Sequence, residues 1–162
     1  MTTIELIADS CARNLEMLKM LVGDFSEADM MVRPCAGANH AMWQLGHLIG
    51  SEAQMVGACG GKAAELPAGF AEKFTKETSK IDDAKALGTK AQLLELFGKV
   101  RAATVSWVKS LKEADLNKPA PEHMRAFFPT VGHLVLLLPG HLDMHAGQVQ
   151  VIRRKLGKPV LF

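Results

Sequence analysis

Aromatic residues are scarce in this chain, at 6% of 162 positions, and alternating β-branched runs are scarce too. Strands draw on both, so the shortage argues against a sheet and for helices. Cysteine is limited to Cys11, Cys35 and Cys59, an odd set with no CxxC spacing. That excludes a disulfide framework and makes a reducing cytoplasm the expected setting. No charge of one sign dominates: the net charge is +2 and the basic residues are dispersed. An electrostatic footprint for nucleic acid is therefore missing. Val131–Leu138 is apolar but far too short to span a bilayer, so no membrane partner is expected. The opening MTTIELIADSCARN is amphipathic and carries acids, unlike a signal peptide. There is no Gly-rich phosphate loop after a strand, no GxSxG, no internal repeat and no low-complexity tract.

What is present is 48% apolar residue, mostly Leu, Met, Ala and Val, on a length that suffices for one domain, 1–162, with a real core. Ile4, Ile7, Cys11, Leu15, Leu18 and Val22 step by threes and fours, predicting a helix over Thr3–Gly23 with one buried face. Phe25 to Asp29 opens a short helical turn, and Arg33 to Asn39 reads as a connector. A second helix begins near Asn39 or His40 and runs to about Cys59, before Gly60-Gly61. Residues 61–88, broken by Pro67, Gly69 and Gly88, read as a surface connection; one this long is often functional or mobile. Thr89 and Gln92 form a capping box, so a third helix starts at Lys90, its inward stripe being Leu93, Phe97, Val100, Thr104, Trp107 or Val108, and Leu111. Four amphipathic helices joined by irregular loops make an all-α four-helix bundle, whose long connections permit parallel as well as antiparallel neighbours.

The last helix, from Thr130 to Gly157, carries the chemistry. Leu134, Leu138, His141, His145, Val149, Ile152 and Leu156 fall in a band roughly 80° wide, with Gln148 just outside it. Arg153, Arg154 and Asp143 point elsewhere. Pro139 should kink this helix or split it just before His141. His141 and His145 project from one face a turn apart, and burying unpaired imidazoles is costly. A shared metal ion would supply the reason; ordinary packing with a hydrogen bond is the competing one. The segment is not HExxH, since position 142 is leucine.

A third ligand must come from His40, His47, His123 or His133. His47 belongs to a polar band on the second helix with His40, Gln44, Ser51 and Gln54, which either faces water or lines an internal cavity. His133 reads as a surface residue or a support for the ligands, His123 and His40 as surface or capping residues. No acid is placed to serve as general base: Asp143 is on the far side of its helix, and Glu52 is about 140° round from His47.

WQLGHL on the second helix, followed by HLDMHAGQVQVIRRKLGKP, resembles the DinB-like (YfiT-like) family of metal-dependent enzymes, from about residue 5 to 159. That family is unrelated to the DNA polymerase sharing the label. The resemblance implies a four-helix bundle of up-down-down-up topology and a divalent metal, often zinc or nickel, on His47, His141 and His145. Pro139-Gly140 and Leu142-Asp143-Met144 depart from the more polar surroundings usual there. Relatives with known chemistry are like S-transferases and isomerases that use a low-molecular-weight thiol, which would be a cosubstrate beside the small-molecule substrate. Resemblance also makes a homodimer an expectation. Around the ligands, Gln148, Gln44 and Ser51 could contact substrate, and Trp43 could form a wall or merely pack. No side chain is assigned as catalytic; the rivals to thiol transfer are a metal-dependent hydrolase and a non-catalytic metal- or ligand-binding stress protein.

Overall fold

The computed structural model describes residues 1–161. Its helices are α1 (Thr3–Gly23), α2 (Glu27–Met30), α3 (Ala41–Ala58), α4 (Ala84–Leu87), α5 (Lys90–Ser110) and α6 (Val131–Lys155). Among the described residues there is no strand, only an isolated bridge between Pro119 and Thr130. The ends follow from side chains that satisfy free backbone N–H groups. Thr2 with Glu5, Ser26 with Asp29 and Thr89 with Gln92 form capping boxes. The predicted buried positions of α1 are all buried, as are Leu93, Phe97, Val100, Thr104 and Val108 on α5; Trp107 and Leu111 are half-buried.

α1 and α3 each pack against both α5 and α6. Asn14 meets Pro139 and Asp143, while Leu21 and Asp24 meet Arg153, so α1 and α6 run in the same direction. Arg101 reaches Cys11 and Asn14, and Lys90 reaches Val22 and Gly23, so α5 runs opposite to α1. Gln44 meets His145 and His47 meets His141, so α3 runs opposite to α6.

Two expectations are narrowed and one, for Arg153, changes. α6 is one helix of 25 residues through Pro139, without the split before His141. Arg153 does not point away from the stripe but is 1% exposed. Its guanidinium donates to the Leu21 carbonyl at 2.7 Å, to the Asp24 carboxylate and to the Pro159 carbonyl, tying the end of α1 to the chain after α6. His40 is a cap, yet fully buried rather than superficial. Its Nδ1 accepts from the Trp43 N–H at 3.0 Å, so Nε2 carries the proton and donates to the Ile81 carbonyl at 3.0 Å. A helix start and the distant 61–88 connection are thus joined by one ring.

That connection is itself docked. Phe70 and Phe74 are buried, and the Phe74 ring lies over Gly46 on α3. A Cβ built on Gly46 would come within 2.1 Å of it, so only glycine leaves room. The segment around Ala71–Lys76 forms a strap along α3.

Candidate metal centre

His47 on α3 and His141 and His145 on α6 converge: their ligand nitrogens all lie within 4.8 Å of one another. The four-residue spacing on α6 puts two rings on one face, and the antiparallel run of α3 brings the third across from them. Ring centroids are 5.2 Å apart for His47 and His141, 5.3 Å for His47 and His145, and 4.9 Å for His141 and His145. His145 is buried and the other two half-buried, so the group sits just under the surface and is partly exposed.

Two of the three rings, His47 and His145, have a neighbour outside the cluster that orients them. Trp43, one turn before His47, is buried and stacks on it with centroids 4.8 Å apart and planes 7° from parallel. The Phe74 backbone lies near the His47 ring on the strap side. Gln44, 1% exposed, faces His145, with its Oε1 3.0 Å from Nδ1. The orientation of that amide is settled by its other end, where Nε2 donates to the Asn39 carbonyl, which can only accept. Oε1 must therefore accept from His145 Nδ1–H, leaving the lone pair on Nε2.

Burial pushes all three imidazoles below the ordinary value of 6.5. His141 falls to about 4, helped by His47, and His145 to about 3, helped by both other histidines. His47 is lowered by burial against the opposing Phe74 backbone. No carboxylate or lysine contributes to any of these shifts. Three neutral nitrogens at one point, with one ring held by a hydrogen bond on its other nitrogen, are a donor set that fits a borderline divalent ion such as Zn²⁺ or Ni²⁺.

These shifts set a pH dependence. Above pH 6.5 the rings are neutral whether the metal-free chain is folded or not. As pH falls below 6.5 the unfolded chain takes up protons that the folded one refuses, so stability declines through the window down to about pH 4 for His141 and about 3 for His145. Urea midpoints of metal-free protein between pH 7 and 4 should fall with pH, and the slope should flatten in His145→Gln.

The other sequence candidates divide. Gln44 and Trp43 contact the histidines directly, as an orienting partner and a stacking wall. Ser51 lies in an open cleft of about 540 Å³ between α3 and the strap, lined also by His47, Gly50, Gln54, Phe74 and Lys76. Gln148 is exposed, one turn beyond His145. His133 and His123 are exposed, and His133 pairs with the Thr130 hydroxyl. Phe74, Gly46 and Gly50 were not singled out from the sequence. Gly46, next to His47, is the position where a close approach requires glycine; Gly50, one turn on, meets nothing within 4 Å.

A family model described as the DinB superfamily matches residues 11–149. No curated protein matches the sequence. Among solved structures, a conserved protein from Enterococcus faecalis has the same fold, with a TM-score of 0.71 over 98% of this chain and 99% of that one. At 16% identity that likeness concerns the fold alone.

Proposed function

The chain belongs to the DinB superfamily, and from that membership and the converging histidines we propose a metal-dependent enzyme holding one zinc or nickel ion on His47, His141 and His145. The observation that carries this is the meeting of three neutral ring nitrogens within 4.8 Å. When bound, such an ion would supply Lewis acidity toward an incoming low-molecular-weight thiol, easing its deprotonation. We favour transfer of that thiol to an electrophile over hydrolysis. Hydrolysis calls for a positioned base; Glu52 is engaged with Arg101 and Asp143 with Asn14, while Glu72, which lines the cleft, is exposed on the strap. In this reading Gln44 holds His145 in one tautomer, Trp43 fixes the plane of His47, and the cleft between α3 and the Phe74 strap receives the substrate beside His47. The three cysteines are free and take no part; Cys11, pushed up to about 11 by burial, stays a thiol. Free thiols suit a reducing compartment, so we place the protein in the cytoplasm.

Elemental analysis of protein purified without an affinity tag tests the centre. About one zinc or nickel per chain is expected in the wild type, lost in His145→Ala. A wild type that stays empty after both ions are added would overturn the reading.

Gly50 tests the cleft. A Cβ there meets nothing within 4 Å, so the helix has no packing reason for glycine. Gly50→Leu should keep the metal and gain up to about 1 kcal/mol of helix stability. It should lower kcat/KM ~10-fold or more for a thiol–electrophile pair found by screening, because the substrate is displaced. Unchanged kinetics would place the substrate elsewhere.

A further inference from the structure

A buried polar chain touches all four long helices. Glu52 on α3 accepts from Arg101 Nη2 on α5 at 2.7 Å. Arg101 Nη1 donates to the Cys11 carbonyl at 2.8 Å and to Asn14 Oδ1 on α1 at 3.0 Å. Asn14 Nδ2 donates in turn to the Pro139 carbonyl at 2.9 Å and to Asp143 Oδ1 at 3.2 Å, both on α6. Asn14, Arg101 and Glu52 are all buried.

The sense of these bonds is fixed by chemistry. A guanidinium only donates; a carbonyl and a carboxylate only accept. Asn14 serves both sides because its amide has an acceptor and two donors. Aspartate could still receive Arg101 but would turn an acceptor toward Pro139 and Asp143; leucine could do neither.

The grip falls where α6 is weakest. Pro139 has no N–H, so the helix bond to the carbonyl four residues earlier is missing. The part of α6 beyond it carries His141 and His145, and its direction depends on what holds it from outside. From α3, Gln44 holds His145. From α1, Asn14 holds Pro139 and Asp143, on either side of His141. Through Arg101 and Glu52 the same chain refers α6 back to α3, which carries His47.

We propose that Asn14 is a positioning residue for the metal centre, setting α6 at its proline so that His141 and His145 meet His47. This rests on the three histidines being metal ligands. It assigns Asn14 a role beyond stability, though it lies on a helix that carries no ligand.

The test compares wild type, Asn14→Asp and Val108→Ala. Val108 is buried on α5 in a separate part of the core, with Ile4, Ile7 and Val135, so its truncation is a stability control. Zinc dissociation constants are measured by competition with a chromophoric chelator, the visible spectrum is recorded with Co²⁺, and metal-free unfolding is followed in urea. Asn14→Asp should bind zinc about 10- to 100-fold more weakly and shift the Co²⁺ bands. Val108→Ala should lower the urea midpoint and leave both metal readings unchanged. An Asn14→Asp protein that unfolds earlier yet keeps wild-type zinc affinity and Co²⁺ bands overturns the proposal while the metal centre stands. A wild type that binds neither ion overturns the centre and the proposal together. If Asn14→Asp does not fold, Asn14→Ala, which removes the same donors without adding a buried carboxylate, is read by the same criteria.

Discussion

Removing the Glu52 carboxylate should cost the fold about 3–5 kcal/mol, the usual penalty for stranding one member of a buried ion pair. Glu52 and Arg101 are each 3% exposed, and Arg101 Nη2 has that carboxylate as its partner. Glu52→Leu would leave a guanidinium in the bundle interior with Nη2 unpaired and no water to replace the lost bond. Even in the native chain the pair is imperfectly satisfied, since Glu52 Oε1 and Arg101 Nε have no hydrogen-bond partner among the described residues. Burial accordingly pushes the Glu52 carboxyl up, against the pull of the guanidinium. Urea unfolding of metal-free protein measures the loss. The double variant Glu52→Leu, Arg101→Met should recover a large part of it, because an apolar pair of similar volume needs no compensation. Recovery should stop short of complete, since Asn14 Oδ1 then loses its donor. A single variant within about 0.5 kcal/mol of wild type would mean that the pair is hydrated, or that Glu52 is already protonated, in the native state.

Gly46→Ala should damage the metal centre from outside it. The added methyl would sit 2.1 Å from the Phe74 ring, far inside contact distance, so the strap must move. Overpacking of this kind costs about 1–3 kcal/mol, part of which the better helix propensity of alanine, worth up to about 1 kcal/mol, gives back. Metal affinity should change more than stability does. Phe74 lines the cleft beside His47 and its backbone lies near that ring, so a displaced strap loosens the ring's surroundings, and zinc binding should weaken about 10- to 100-fold. Gly50→Ala is the matched control, one turn on, where a methyl meets nothing within 4 Å. It should bind zinc like wild type. Phe74→Leu in the Gly46→Ala background should restore part of the affinity by making room. Equal zinc affinity in Gly46→Ala and wild type would uncouple the strap from His47.

The helices were legible because their signals are local and repeated. Thr89 and Gln92 announce the start of α5, and the stripe from Ile4 to Val22 announces the buried face of α1. The histidine pair on α6 was legible for the same reason, since i and i+4 share a face whatever the rest of the chain does. His47 was ambiguous from periodicity alone because its polar band serves both purposes: Gln44 is buried against His145, while Gln54 is exposed. The family resemblance, not the residue pattern, singled it out. Arg101 and Asn14 were overlooked although both stand within apolar stripes, Arg101 between Phe97 and Thr104 and Asn14 between Cys11 and Leu18. A charged or amide residue inside such a stripe reads as an interruption until its partner on another helix is known. Arg153 escaped similarly, because its partners are carbonyls at the end of α1 and beyond α6, which no side-chain pattern reveals. The strap was read only as a surface connection whose length is often functional or mobile, because Phe70 and Phe74 lie among Pro67, Gly69 and a polar run with no period. Their burial depends on a notch at Gly46, in another part of the chain.

The split of the ligand set between α3 and α6 has a consequence for how the protein is made. His141 leaves the ribosome roughly 90 residues after His47, which at ordinary elongation rates is a delay of about 5–20 s. Throughout that interval the nascent chain offers a single imidazole from this centre, too little to retain an ion against the chelators of the cell. In the proposed centre, metal capture would wait for synthesis of α6 and its docking beside α3. The ion would report on completed assembly, and a chain released before α6 would stay metal-free.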